Sequence, residues 1–205
     1  MKGRLWGNSP LEETAGTGEG VFLDLGCGDG KNLRRALTPG KFLIGIDFSL
    51  EAILLCKKDP CLLDILFICA DARYLPLKNQ VADSADAHHL IGHLEKQDRD
   101  RVAGEISRVL CPKGRLVVTV FGREDLRYGK GNEIEPGTFM KGTGILVHFF
   151  THDELVSLFT CLICISGVMR TWQMQVRGKQ VHRALYVMQY IKPERTMKEI
   201  PDLSP

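Results

Sequence analysis

The chain has 205 residues, 44% hydrophobic and 25% charged, with 27 basic and 25 acidic side chains and a net charge of +2. That composition excludes wholesale disorder, a collagen and a coiled coil, and the near-neutral charge forces neither a nucleic-acid nor an anionic-membrane partner. The length fits one domain with a full core and leaves little room for a separate substrate domain.

Residues 1–20 are polar and rich in Gly, Ser and Thr, and are expected to form a loose arm or a lid. Strand-like and helix-like runs then alternate. The apolar run at 21–25 predicts a strand that ends in glycines. Residues 31–37 predict a short helix stopped by Pro39-Gly40. A second strand is predicted over 42–46. A helix follows over 49–58, with Ser49 as its N-cap and Ala52, Ile53 and Leu55 on one face. A third strand is predicted over 65–70. A weaker fourth, over 83–90, is poor in β-branched residues. The stretch 98–110 predicts an amphipathic helix with Val102, Ile106, Val109 and Leu110 inward. Cys111-Pro112-Lys113-Gly114 turns into the best strand, 115–121. Strands separated by helices of about ten residues imply βαβ units and a parallel sheet.

After Phe121 the pattern breaks. Residues 122–148 carry Gly, Lys and Glu with little periodicity, as a long functional loop would. A helix is predicted over 151–159, opened by a Thr151/Glu154 capping box. Two long strands near 161–171 and 182–191, joined at Gly178-Lys179, predict an antiparallel hairpin. The fold class expected is α/β. It is a Rossmann-like, seven-stranded, mostly parallel sheet with a C-terminal antiparallel hairpin and helices on both faces. The domain expected spans 21–192, followed by a polar tail at 193–205.

The start, MKGRLWGNSPLEE, has no apolar core of a secretory signal. No apolar run approaches the ~20 residues of a membrane span. Of seven cysteines, Cys56, Cys61, Cys69, Cys111, Cys161 and Cys164 lie in or beside apolar stretches, as small core residues do. The compartment expected is a reducing cytoplasm. Cys161-x-x-Cys164 falls in a strand-like run, where residues three apart point to opposite faces, and no second CxxC accompanies it. No metal is expected.

The chemistry begins at Asp24-Leu25-Gly26-Cys27-Gly28-Asp29-Gly30, directly after the first strand. Glycines there permit positive φ and close approach of a ligand. The next helix would point its N–H groups at that ligand. A dinucleotide G-x-G-x-x-G would need its third glycine where Lys31 stands. The pattern acid-x-G-x-G-x-G is matched by Asp24, Gly26, Gly28 and Gly30. A carboxylate beside the turn suits a cationic ligand and suits a pyrophosphate poorly.

This turn resembles motif I of the class I S-adenosylmethionine-dependent methyltransferases. Further matches follow in order. In Gly45-Ile46-Asp47-Phe48-Ser49 the resemblance implies that Asp47 takes both ribose hydroxyls, with Phe48 beside it. In Ala70-Asp71-Ala72 it implies that Asp71 accepts from the adenine amine and the Ala72 N–H meets a ring nitrogen. Arg108-Val109-Leu110-Cys111-Pro112-Lys113-Gly114 resembles the family's R-V-L-K-P-G-G turn, with Cys111 and Lys113 as departures. His93-Leu94 matches a frequent His-Leu of the fourth-strand loop. The cofactor implied is S-adenosyl-L-methionine, held by Asp24, Gly26, Cys27, Gly28, Gly30, Asp47, Phe48, Asp71, Ala72 and His88. The likeness is to small single-domain members of the type 11 or 12 kind.

Transfer is in line and mostly a matter of placing a nucleophile, although a hydroxyl or ammonium acceptor also needs a base. Asp86, His88, His89 and His93 are the candidates, with His88 best placed and His93 the second choice. The 122–148 insertion would lie over the substrate side. Arg170, Arg177, Lys179 and Arg183, with Trp172 and His182 among them, could instead hold RNA phosphates. A small-molecule acceptor is the first expectation, because no recognition domain is seen. A tRNA or protein substrate is the alternative, and a non-catalytic cofactor-binding protein a third reading.

Overall fold

The computed structural model describes residues 13–16, 19–142, 144–176 and 178–194. The expected tail beyond Glu194 and most of the N-terminal arm lie outside them. The main sheet contains β1 (Gly20–Leu25), β2 (Lys41–Asp47), β3 (Leu66–Cys69), β4 (Ala82–His88), β5 (Leu110–Phe121), β9 (Ile163–Val176) and β10 (Lys179–Ile191). Between β5 and β9 the chain forms β6 (Asn132–Glu135), β7 (Thr138–Met140) and β8 (Leu146–His148). The seven strands of the main sheet run in the order β3-β2-β1-β4-β5-β10-β9. The pairs among β1 to β5 are parallel, and β10 runs antiparallel to both β5 and β9. This is the seven-stranded sheet with a closing hairpin that the alternation of runs predicts.

The helices are α1 (Lys31–Ala36), α2 (Leu50–Cys56), α3 (Lys96–Val109) and α4 (His152–Leu158). Ser49 caps α2, its Oγ accepting from the Ala52 N–H at 3.3 Å. Thr151 caps α4 by accepting from the Glu154 N–H at 3.3 Å. The Glu154 carboxylate does not complete the expected capping box, because it is engaged with His148 Nε2 at 2.7 Å instead.

Alternation along β5 divides the core. Leu116, Val118 and Val120 join the cluster under α3 and α4, with Val102, Ile106, Leu155 and Phe159. Val117 and Phe121 face the other way, with Phe139, Val147 and Phe149 of the insertion. A second cluster, with Phe22, Leu33, Ile53 and Cys56, packs α1 and α2 on the sheet. β4 lacks β-branched residues yet lies at the centre. Ala82, Ala85 and Ala87 are fully buried there, since a parallel strand covered on both faces needs small or apolar side chains more than β propensity.

Two expectations are corrected. The 122–148 segment is not one long loop, since β6, β7 and β8 form a separate three-stranded antiparallel sheet. Strands that short show no readable period. Residues 13–16 are not a loose arm. Ala15 is buried in the third cluster, its N–H donates to Asp86 Oδ1 at 2.8 Å, and Glu13 pairs with Arg170.

Candidate active site

The glycine turn leaves β1 and is stitched back to β2. The Gly26 and Cys27 N–H groups both donate to the Ile46 carbonyl, at 2.8 and 3.1 Å. The Gly28 N–H donates to Asp47 Oδ2 at 2.9 Å, and the Ser49 N–H donates to Oδ1 of the same carboxylate at 2.9 Å. Asp47 therefore fixes the turn and the start of α2 together, and each oxygen keeps a second lone pair for a ligand. At Gly28 φ is +53° and an added Cβ would meet nothing within 4 Å, so its backbone stands clear. At Gly30 φ is +74° and an added Cβ would come within 2.5 Å of Leu62 Cδ1. One glycine leaves access and the other permits packing.

The carboxyl ends of β1 to β4 open into a cleft of about 540 Å³. It lies where the strand order reverses between β1 and β4, the usual place for a ligand in an open α/β sheet. Gly26, Asp47 and Phe48 line one part and Asp71, Ala72 and Arg73 another. Leu90, Leu94 and Val102 supply an apolar wall, and His88, His89 and His93 complete the rim. Phe48 is 80% exposed, a large apolar ring held at the mouth with little of the described chain to cover it. Arg73 clamps Asp71 through Nε and Nη2, at 2.9 and 2.6 Å from Oδ2. Its hydrogen bonds lower the Asp71 carboxyl against the opposing effect of burial. Arg73 also reaches Asp98 at 2.7 Å, which ties the third-strand loop to α3.

The three histidines differ. His88 has Nδ1 at 2.9 Å from Thr119 Oγ1 and Nε2 at 3.2 Å from the buried Asp86. Both ring nitrogens are thus engaged. His89 has φ of +58° and stacks on Phe121 with ring centroids 4.4 Å apart. Burial first, then the charge of neighbouring His88, pushes its imidazole down to about 3, so it is neutral at pH 7. His93 has Nδ1 at 2.7 Å from the Leu146 carbonyl. A carbonyl only accepts, so Nδ1 carries the proton and Nε2 is the lone-pair nitrogen of the neutral ring.

Of the cofactor residues expected from sequence, Gly26, Asp47, Phe48, Asp71, Ala72 and His88 line the cleft. Asp24, Cys27, Gly28 and Gly30 do not. Cys27 is a core side chain under α1 and α2, its thiol raised by burial and next by Asp24. Asp24 is fully buried and stands opposite Asp86 in the β1–β4 register. Arg73 and Leu90 line the cleft with no sequence signal of their own, and only their neighbourhood to the motifs could have drawn attention to them. Leu94 of the His-Leu match and Val102 on the inward face of α3 line it too.

The basic hairpin is also revised. Arg183 is 4% exposed and its Nε donates to Asp125 Oδ2 at 2.7 Å. Arg170 is paired with Glu13. Neither belongs to an exposed basic strip, and Arg183 keeps a buried Nη2 without a partner among the described residues. Arg177 lies outside the described residues.

A family profile described as a methyltransferase domain matches residues 23–118. A SAM-dependent methyltransferase of Methanosarcina mazei superposes with a TM-score of 0.68 at 25% identity, covering 86% of this chain and 94% of that one. The chain has the fold of the class I S-adenosylmethionine-dependent methyltransferases. The tRNA N(3)-cytidine methyltransferase METTL2 of Gallus gallus is 28% identical over 182 residues, which are 82% of this chain and 48% of that protein. The tRNA (carboxymethyluridine(34)-5-O)-methyltransferase of Arabidopsis thaliana is 35% identical over 105 residues, 51% of this chain and 24% of that protein. The chain thus spans about half the length of the METTL2 relatives it matches.

S-adenosylmethionine, the cofactor bound in that fold, fits the residues present. The Asp47 carboxylate keeps acceptor capacity at the mouth, as two hydroxyls require. Leu90, Leu94 and Val102 give the cleft the apolar lining a purine needs, and Asp71 and Ala72 line the same cleft. Among the described residues no helix is long and apolar enough to cross a membrane.

Proposed function

We propose that this chain transfers a methyl group from S-adenosylmethionine to a base nitrogen of tRNA. The observation that supports this best is its 28% identity, over 82% of its length, to proteins named tRNA N(3)-cytidine methyltransferases. The region over 21–192 acts as the methyltransferase domain, with the 122–148 insertion on the acceptor side, and the setting is cytoplasmic. Bound S-adenosylmethionine supplies an electrophilic methyl on its sulfonium.

The chain's own residues do the rest. Asp47 holds the ribose end and Asp71 with Ala72 reads the adenine edge. Asp24 and Asp86, buried beneath the turn, favour the cationic end. A ring nitrogen attacks with its in-plane lone pair and needs no prior deprotonation, so the site must chiefly orient the base about 3 Å from the methyl carbon. His88, committed at both nitrogens, is a positioning residue that braces β4 against β5. His93, whose Nε2 bears the lone pair, takes the proton that the methylated, cationic base sheds.

A second reading, a small-molecule acceptor, is favoured by one observation: Arg170 and Arg183 of the hairpin are drawn into ion pairs with Glu13 and Asp125 rather than presented as an exposed basic strip. Methyl-labelled cofactor incubated with total tRNA and, separately, with a small-metabolite extract decides. Label in tRNA that digests to a methylated nucleoside supports the first reading. Label only in the metabolite pool supports the second. Cofactor binding with transfer to neither pool refutes both and leaves a binding protein.

A further inference from the structure

Beyond the cleft lies a polar cluster that the methyl-transfer machinery does not use. The Phe121 ring ends β5. His89 from the cleft wall stacks on it at 4.4 Å, and the Arg127 guanidinium carbon stands 3.7 Å from its centroid. Two groups that close cannot share one face, so they take opposite faces of the ring. The Arg183 guanidinium carbon is 5.1 Å from the same ring and 5.4 Å from that of Trp172. Asp125, fully buried, holds both arginines: Oδ1 accepts from Arg127 Nε at 2.9 Å and Oδ2 from Arg183 Nε at 2.7 Å.

One carboxylate does not satisfy this group. Arg127 Nη2, Arg183 Nη2 and Trp172 Nε1 are all buried and have no hydrogen-bond partner among the described residues. Arg183 is itself 4% exposed. The Lys141 ammonium is lowered, first by burial and then by the nearby Arg127 charge. Among the described residues, three cations therefore gather around the Asp125 carboxylate. Buried donors are almost always paired, and orphans at this density call for an explanation. The mouth of the cluster is the half-buried Arg127, whose side chain is 23% exposed.

We propose that Arg127, Arg183 and Trp172 form an oxyanion subsite that receives a phosphate of the methyl acceptor. Arginine pairs are suited to phosphate oxygens, which accept from planar N–H groups. The site is one stacked ring away from the cleft wall, on the insertion side, so a base in the cleft and a phosphate at Arg127 can belong to one nucleotide. This location also gives the insertion a part in acceptor binding, because Arg127 enters from the segment between β5 and β6, whereas Arg183 and Trp172 come from the hairpin. The subsite rests on the proposed tRNA acceptor only for the nature of the base; the phosphate chemistry stands on the donors alone.

Calorimetry on the full chain saturated with S-adenosylhomocysteine, at constant ionic strength, tests the subsite. Inorganic phosphate, acetate, cytidine and cytidine 5′-monophosphate are the probes, with wild type, Arg127→Gln and Trp172→Phe compared. Trp172→Phe keeps both ion pairs and an aromatic ring and removes the indole N–H, so it guards against a folding defect in Arg127→Gln. The expected result is phosphate binding weakened about tenfold or more by Arg127→Gln and several-fold by Trp172→Phe, the loss of one or two charge-assisted hydrogen bonds. Phosphate binding that both variants leave unchanged overturns the subsite. Acetate binding in preference to phosphate overturns the phosphate assignment. If cytidine 5′-monophosphate outbinds cytidine and Arg127→Gln abolishes the difference, the phosphate belongs to the acceptor nucleotide. If phosphate binds but neither cytidine compound does, the subsite stands and the cytidine reading falls.

Discussion

Replacing Asp47 by Asn probes the cofactor site most directly. The carboxylate receives two backbone N–H donors, from Gly28 at 2.9 Å and Ser49 at 2.9 Å, one on each oxygen. An amide has one oxygen, so whichever way it turns, one N–H of the turn faces an NH2 group. It also loses charge and acceptor capacity for the ribose hydroxyls. A hydrogen bond to a charged acceptor contributes about 1.5–3 kcal/mol. The half-exposed position favours the lower end, so two such bonds give about 3 kcal/mol, or about 10²-fold in affinity. Titration calorimetry with S-adenosylhomocysteine should show that weakening, together with a lowered melting temperature from the disturbed turn. An affinity within about threefold of wild type, where lost bonds of this kind predict far more, refutes the assignment of Asp47 to the ribose.

Gly30→Ala should destabilise by about 2–4 kcal/mol, combining a left-handed backbone with overpacking against Leu62 and Cys56, as read by denaturant melts. Asp125→Asn removes a buried carboxylate from two arginines and should cost about 3–5 kcal/mol at neutral pH. Burial alone would raise the Asp125 carboxyl, but Arg183 and Arg127 carry it below its ordinary value. Its contribution is therefore full above the ordinary carboxylate range and is lost as the pH falls through the depressed value. Wild type and Asp125→Asn should accordingly converge in stability in acid, and parallel acid titrations of unfolding check this. His93→Ala should leave single-turnover methyl transfer within about threefold of wild type, because the proton it takes leaves the base only after the methyl has moved. His88→Ala should act on stability as well, because it strips a partner from buried Asp86.

Much of the cofactor half was legible because its signals are local. Positive φ at the glycine turn, Asp47 at the end of β2 and Asp71 just after β3 are each set by a few consecutive residues. The acceptor half was not. Arg183 and Arg170 read as an exposed basic strip, yet Asp125 and Glu13, far away in sequence, absorb them. Cys27 falls within the motif, but its thiol packs in the core. The small sheet of the insertion comprises strands of three and four residues, held by contacts such as Thr138 Oγ1 with His148 Nδ1 at 2.6 Å.

The sequence by itself determined the order of the main sheet's strands and of the helices between them, and with it the α/β class. Periodicity and turn chemistry act between neighbours, so one dimension suffices to read them. Only the tertiary structure decided which charges remain available. A charge is neutralised by whatever folds against it, and among the described residues three ion pairs join residues more than fifty apart, Asp125 with Arg183 among them. The orphaned donors of Arg127, Arg183 and Trp172 became visible for the same reason.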